Sequence, residues 1–116
     1  MAIHLKRAYD SATPGDGRRV LVERLWPRGV TKTRLRLDDW MKDVAPSTAL
    51  RRWYGHEPGR WPEFRSRYFA ELRAHPEAWR PLLAAGRRGR VTLVYAAHDT
   101  ERNGAVALKM FLERRL

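Results

Sequence analysis

The sequence predicts a single α/β or α+β domain spanning residues 1–116, built as a small mixed sheet of about three strands packed with about five helices. Three observations lead there. "RVTLVYAA" (Arg90 to Ala97) is β-branched and aliphatic almost throughout, as a strand covered on both faces must be. "WPEFRSRYFAELRAH" sets Trp61, Phe64, Tyr68 and Leu72 three, four and four residues apart, one apolar stripe on a helix. The elements also alternate along the chain as strand, strand, several helices, strand, helix, and a chain of 116 residues has enough length to bury a core without disulfides.

"IHLKRAY" (Ile3 to Tyr9) roughly alternates apolar and basic residues, which predicts an edge strand with one wet face. "DSATPGDG" then turns the chain through Pro14, Gly15, Asp16 and Gly17. "RRVLVERLW" reads as a second, more buried strand. The link between these two strands is too short for a helical parallel crossover, so direct pairing between them would be antiparallel. After "PRGVTK", Asp38 or Asp39 can cap a short helix carrying Trp40, Met41 and Val44, which must stop before Pro46. Ser47 is the N-cap expected for "TALRRWY", with Gly55 ending that helix. Pro62 suits the first turn of the long helix. "WRPLLAA" gives a further short helix ending at Gly86, and "AVALKMFLERR" a closing one with Val106, Met110 and Phe111 turned inward.

Composition narrows the function classes. The chain has no cysteine, which excludes disulfides, thiolate metal sites and a cysteine nucleophile, and fits a reducing cytoplasmic setting. "MAIHLKRAYD" becomes charged too soon for a signal peptide, and no apolar run reaches membrane-spanning length, so no membrane partner is expected. The 24 Lys+Arg against 13 Asp+Glu give a net charge of +11. Such an excess favours polyanionic partners. Yet only Lys6, Lys32, Lys42 and Lys109 are lysine, and an arginine- and alanine-rich composition also follows from a G+C-rich genome, so where the arginines sit is more informative than their total.

Two segments put polar groups at the carboxyl end of a buried strand, the usual ligand position in open α/β sheets. One is "VERLWPRGVTK", with Arg24, Arg28 and Lys32; the other is "AAHDTERN", with His98, Asp99 and Asn103 before the last helix. If the two strands are parallel neighbours, both ends open into one crevice. That crevice suits an anion: Arg24 and Arg28 offer forked donors, Lys32 a mobile charge, and Asn103 with the helix start orients the oxyanion. The competing structural roles are a turn cap for Arg28 and an ion pair with Glu23, Asp38 or Asp99 for Arg24. His98 with Asp99 is the one acid–base pair suited to proton transfer. His4, His56, His75 and His98 have no metal-ligand spacing, and no phosphate-loop, nucleophile-elbow or dinucleotide fingerprint is present, so neither metal nor cofactor is expected. A second class of function uses "LRRWYGHEPGRW" as a nucleic-acid platform, with bases stacked on Trp53 or Tyr54 and phosphates on Arg51, Arg52 and Arg60. A third is a partner-binding subunit whose exposed aromatics form the interface.

Taken together, "RVLVERLWPRGVTK", "W-x(4)-APS-x-x-LRRWYGHEPGRWPEFRSRYFAEL" and "VTLVYAAHDTERNGAVAL" resemble the YeaO-like family, a domain family of unknown function, in the same order and over nearly the whole chain. Members usually read "VDRLWPRG"; here the acid is Glu23, one methylene longer. Related small α/β domains often carry cysteine and histidine-arginine residues in the loop after the last strand. This chain has "AAHDTERN" there, which excludes a cysteine mechanism while leaving an anion-binding loop geometry open.

Overall fold

The computed structural model describes residues 3–116. Four strands form one sheet in the order β1-β4-β2-β3: β1 (Ile3–Arg7), β2 (Arg18–Leu21), β3 (Asp39–Trp40) and β4 (Val91–Tyr95). Every pairing is parallel, with Ile3 opposite Val91, Arg18 opposite Val91 and Val20 opposite Asp39. The α/β class stands, but the sheet is wholly parallel rather than mixed and has one more strand than expected. β1 is an edge strand as predicted, and β4 is buried at all five positions.

β1 and β2 do not pair with each other, because β4 arrives from far along the chain and inserts between them. Residues 8–17 return from the end of β1 to the start of β2 with no more than a 3₁₀ turn at Pro14–Asp16. Ten residues can reach at most about 33 Å, enough slack to travel back along a five-residue strand and across two strand spacings. Gly17 closes this link at φ 64, where an added Cβ would lie 2.4 Å from the Arg90 carbonyl oxygen. Beneath it the buried Asp16 carboxylate accepts from Lys6 Nζ at 2.8 Å, Thr13 Oγ1 at 2.8 Å and Arg19 Nη1 at 2.6 Å.

The short helix expected over Trp40, Met41 and Val44 does not form. Thr31 instead caps a one-turn helix α1 (Lys32–Leu35), and the following chain lies against β2. Asp38 N–H donates to the Arg19 carbonyl at 2.8 Å, Met41 N–H donates to the Leu21 carbonyl at 2.9 Å, and the Asp38 carboxylate accepts from Arg19 N–H at 2.8 Å. Those bonds satisfy the free edge of β2, which a local helix would have left open.

Helix α2 (Thr48–Tyr54) runs as predicted from Ser47, whose Oγ accepts from Leu50 N–H, to Gly55 at φ 53. α3 (Trp61–Ala74) buries Phe64, Tyr68 and Leu72, the expected stripe. α4 (Pro76–Arg88) is longer at both ends than the segment expected to stop at Gly86. Gly86 continues the buried face of Leu82, Leu83 and Ala85 against Ile3, and Pro81 costs only one backbone bond on the exposed side. α5 (Gly104–Glu113) buries Ala105, Ala107, Leu108, Phe111 and Leu112, so its inward face is rotated from the predicted one: Phe111 is buried, while Val106 and Met110 are half-exposed.

Alternation along the strands divides the core. Ile3, Val20, Val22, Leu93 and Tyr95 join the large cluster with residues of α2 to α5. Leu21 and Val94 point to the other face and meet Ala8, Val30 and Leu35, with Trp26 and Trp40 packed against them edge to face at 5.4 Å. Among the described residues no helix is long and apolar enough to cross a membrane.

Candidate functional site

β2 and β4 are parallel neighbours, and their last shared bond runs from Val22 N–H to the Val94 carbonyl at 3.1 Å. Beyond it the two chains diverge, and a cavity of about 830 Å³ opens outside their carboxyl ends. Glu23, Arg24 and Leu25 line it from β2, and Ala96 to Asp99 line it from β4. The loop before α2 contributes Ala45 and Pro46, α2 contributes Thr48, Arg51 and Arg52, and α5 contributes Asn103 and Gly104. The two segments singled out in the sequence therefore face one crevice.

Its walls are tied down by side chains. Arg7 donates from Nε to the Ala97 carbonyl at 3.0 Å, holding the loop after β4. Arg24 donates from Nε to Pro46 at 2.9 Å and from Nη2 to Ala45 at 3.2 Å, so it holds two carbonyls rather than the carboxylates weighed from the sequence. Tyr68 donates to the Val44 carbonyl at 2.5 Å, and Glu71 accepts from Ser47 N–H at 2.9 Å and Ser47 Oγ at 2.6 Å. Across the cleft Tyr54 donates to the Arg102 carbonyl at 2.9 Å, while its ring stacks on Phe64 at 4.3 Å as the floor. His56 follows Gly55 in the left-handed region at φ 57, a conformation costing a residue with a Cβ about 1–2 kcal/mol, and it lines the cavity.

The predicted site residues separate on this frame. Arg24, His98, Asp99 and Asn103 line the cavity, whereas Arg28 and Lys32 do not. The turn at Pro27 to Gly29, closed by Trp26 Nε1 donating to Val30 at 2.6 Å, leaves Arg28 exposed, and Lys32 is exposed at the start of α1. Asn103 is 4% exposed and works as a cap: its Oδ1 accepts from Val106 N–H at 2.9 Å and its Nδ2 donates to the Asp99 carbonyl at 2.8 Å. Asp99 Oδ1 accepts from Glu101 N–H at 2.9 Å and Arg102 N–H at 3.0 Å, and these bonds hold its carboxyl below the usual carboxylate range. Among the described residues no hydrogen bond joins Asp99 to His98, so the carboxylate serves its own loop rather than orienting the imidazole.

Two cations at the cavity are left free. Arg51 and Arg52 are exposed and, among the described residues, have no acceptor or ion pair. The N–H groups of Gly104 and Ala105 likewise find no acceptor at the start of α5. Thr48, Arg51 and Arg52 share one face because they are three and four residues apart on a helix whose ends Ser47 and Gly55 mark. That spacing could have located them from the sequence, where both arginines were assigned to a nucleic-acid surface instead. Of that platform Trp53 and Arg60 lie off the cavity: Arg67 and Arg60 sit 4.4 and 5.5 Å over the Trp53 ring.

The family described as "Inactive DUF488-N3 subclade" matches residues 2–116. The chain is 43% identical over 112 residues to "Uncharacterized protein YeaO" of Escherichia coli (strain K12), covering 97% of each. It is 42% identical over 113 residues to "Uncharacterized protein Mb3100c" of Mycobacterium bovis and to "Uncharacterized protein Rv3073c" of Mycobacterium tuberculosis, covering 97% of this chain and 95% of each relative. No solved structure matches.

Proposed function

The chain belongs to the YeaO-like family, in the group described as the inactive DUF488-N3 subclade, and on that premise we propose that it binds an anionic, phosphate-bearing ligand in the cleft outside β2 and β4 without turning it over. One observation carries the reading: among the described residues Arg51 and Arg52 are cations at the cleft with no acceptor or ion pair, whereas Arg24 and Asn103 already bond to the chain. A guanidinium lining a concave site that also carries the start of α5 offers an oxyanion the charge and donors it needs. Arg24 shapes this wall and keeps Nη1 for the ligand. The absence of a cysteine from "AAHDTERN", the engagement of Asp99 with its own loop and the description of the subclade as inactive all favour binding over catalysis. A nucleic-acid surface has less support, because the Trp53 ring that would stack a base already carries two arginines.

Thermal unfolding in the presence of inorganic phosphate and pyrophosphate tests this. The wild type is expected to melt higher with millimolar ligand, Arg51→Ala with Arg52→Ala is expected to lose that shift, and Arg28→Ala is expected to keep it. A shift that survives the double substitution, or vanishes in Arg28→Ala, contradicts the proposal.

A further inference from the structure

The cavity of about 830 Å³ is far larger than an inorganic phosphate and falls in the range of pockets that enclose whole organic ligands. One wall also carries a group that a bare anion would avoid. Glu23 lines the cavity directly after β2, half-buried, and its backbone carbonyl is held by Trp40 Nε1 at 2.6 Å, which fixes where the side chain starts. Among the described residues its carboxyl has neither a hydrogen-bond donor nor an ion-pair partner. Burial pushes its pKa up, and the charge of Arg51 opposes that. A carboxyl on the cleft wall with no donor from the protein is open to a donor from a ligand.

The geometry points to Glu23 as the specificity-determining residue of this cleft, accepting from an amino N–H of an organic phosphate whose phosphate meets Arg51 and Arg52. This rests on the anion-binding reading above and adds the second half of the ligand. The body between the two ends would lie on the apolar part of the wall, where Leu25 is 69% exposed beside Ala45, Pro46 and Ala97. Amino-bearing nucleotides and amino-sugar phosphates share this chemistry.

Calorimetric titration of the full chain separates the sources with matched pairs: AMP against purine riboside 5′-monophosphate, and glucosamine 6-phosphate against glucose 6-phosphate, with inorganic phosphate as reference. In at least one pair the amino-bearing member is expected to bind about tenfold or more tightly, the worth of a hydrogen bond to a charged group. Glu23→Met, which keeps the length and removes the acceptor, is expected to equalise that pair and, by taking a negative charge from beside Arg51, to bind inorganic phosphate no more weakly than the wild type, and Glu23→Asp, the residue usual in the family, to restore part of the preference. Equal binding within both pairs, or a preference that persists in Glu23→Met, overturns the role of Glu23 while phosphate binding leaves the anion site standing. Failure of every phosphate probe, including inorganic phosphate, removes both.

Discussion

Replacing Arg24 with alanine separates its two possible roles. In the folded protein its guanidinium donates to the Pro46 and Ala45 carbonyls at 2.9 and 3.2 Å, bridging the end of β2 to the loop that starts α2. A hydrogen bond from a charged donor contributes about 1.5–3 kcal/mol, and because Arg24 is only half-buried water can replace part of each, so the pair should be worth about 2–3 kcal/mol. With a urea slope of about 1.5 kcal/mol per molar, the unfolding midpoint should fall by about 1.3–2 M at unchanged slope. Arg24→Lys should recover less than half of this, because a single ammonium cannot reproduce a fork to two carbonyls. Equilibrium urea unfolding followed by tryptophan fluorescence reads the change. A variant within about 0.5 kcal/mol of the wild type, the range of surface substitutions, would refute the reasoning, because the two carbonyl bonds would then add nothing to stability.

Asp16→Asn should cost about 3–5 kcal/mol, because it leaves the buried Arg19 guanidinium without its counter-charge. Burial alone would raise the Asp16 pKa, but hydrogen bonds from Lys6, Thr13 and Arg19 outweigh it and hold the carboxyl well below its ordinary range. A folded-state pKa below the unfolded one gives stability that is complete above about pH 4 and drains as the pH falls further, so urea midpoints should decline through this acid range in the wild type and decline less in Asp16→Asn. Parallel declines would contradict the assignment. Gly17→Ala and Gly29→Ala both place a Cβ at positive φ, 64 and 73, yet only the first drives it into the backbone, 2.4 Å from the Arg90 oxygen, while the second meets nothing within 4 Å. Gly29→Ala should cost about 1–2 kcal/mol and Gly17→Ala clearly more, as urea midpoints will show; equal losses would mean the link at Gly17 relaxes freely.

Legibility in the sequence followed how local each cause was. α2 was readable because Ser47 and Gly55 both act within one turn of its ends, and α3 because Pro62 and the stripe from Trp61 to Leu72 act within the helix. β4 was readable because burial on both faces leaves Thr92 as its one polar position, and Thr92 is β-branched strand material whose hydroxyl donates to the Asp16 carbonyl. β3 was not, since Asp39 and Trp40 are held by β2, some twenty residues earlier, and nothing in their own neighbourhood records that partner. The antiparallel expectation for β1 and β2 failed for the same reason, because β4 separates them from about seventy residues further on. At the site, looking to the strand ends brought Glu23 to Leu25 of "VERLWPRGVTK" and most of "AAHDTERN" to one cavity. It could not say which arginines were already spent: Arg7 and Arg24 bond to carbonyls that only the folded chain brings near them, while Arg51 and Arg52 stay free.

Capture of a phosphate by the free charge of the cleft can be read residue by residue from amide chemical shifts recorded while inorganic phosphate and then pyrophosphate are titrated into the ¹⁵N-labelled chain. Saturable shifts are expected, confined to residues 96–99, to Gly104 and Ala105, and to Arg51 and Arg52. Shifts centred on Trp53, Arg60 and Arg67, or a response that grows linearly with phosphate and never saturates, would contradict it.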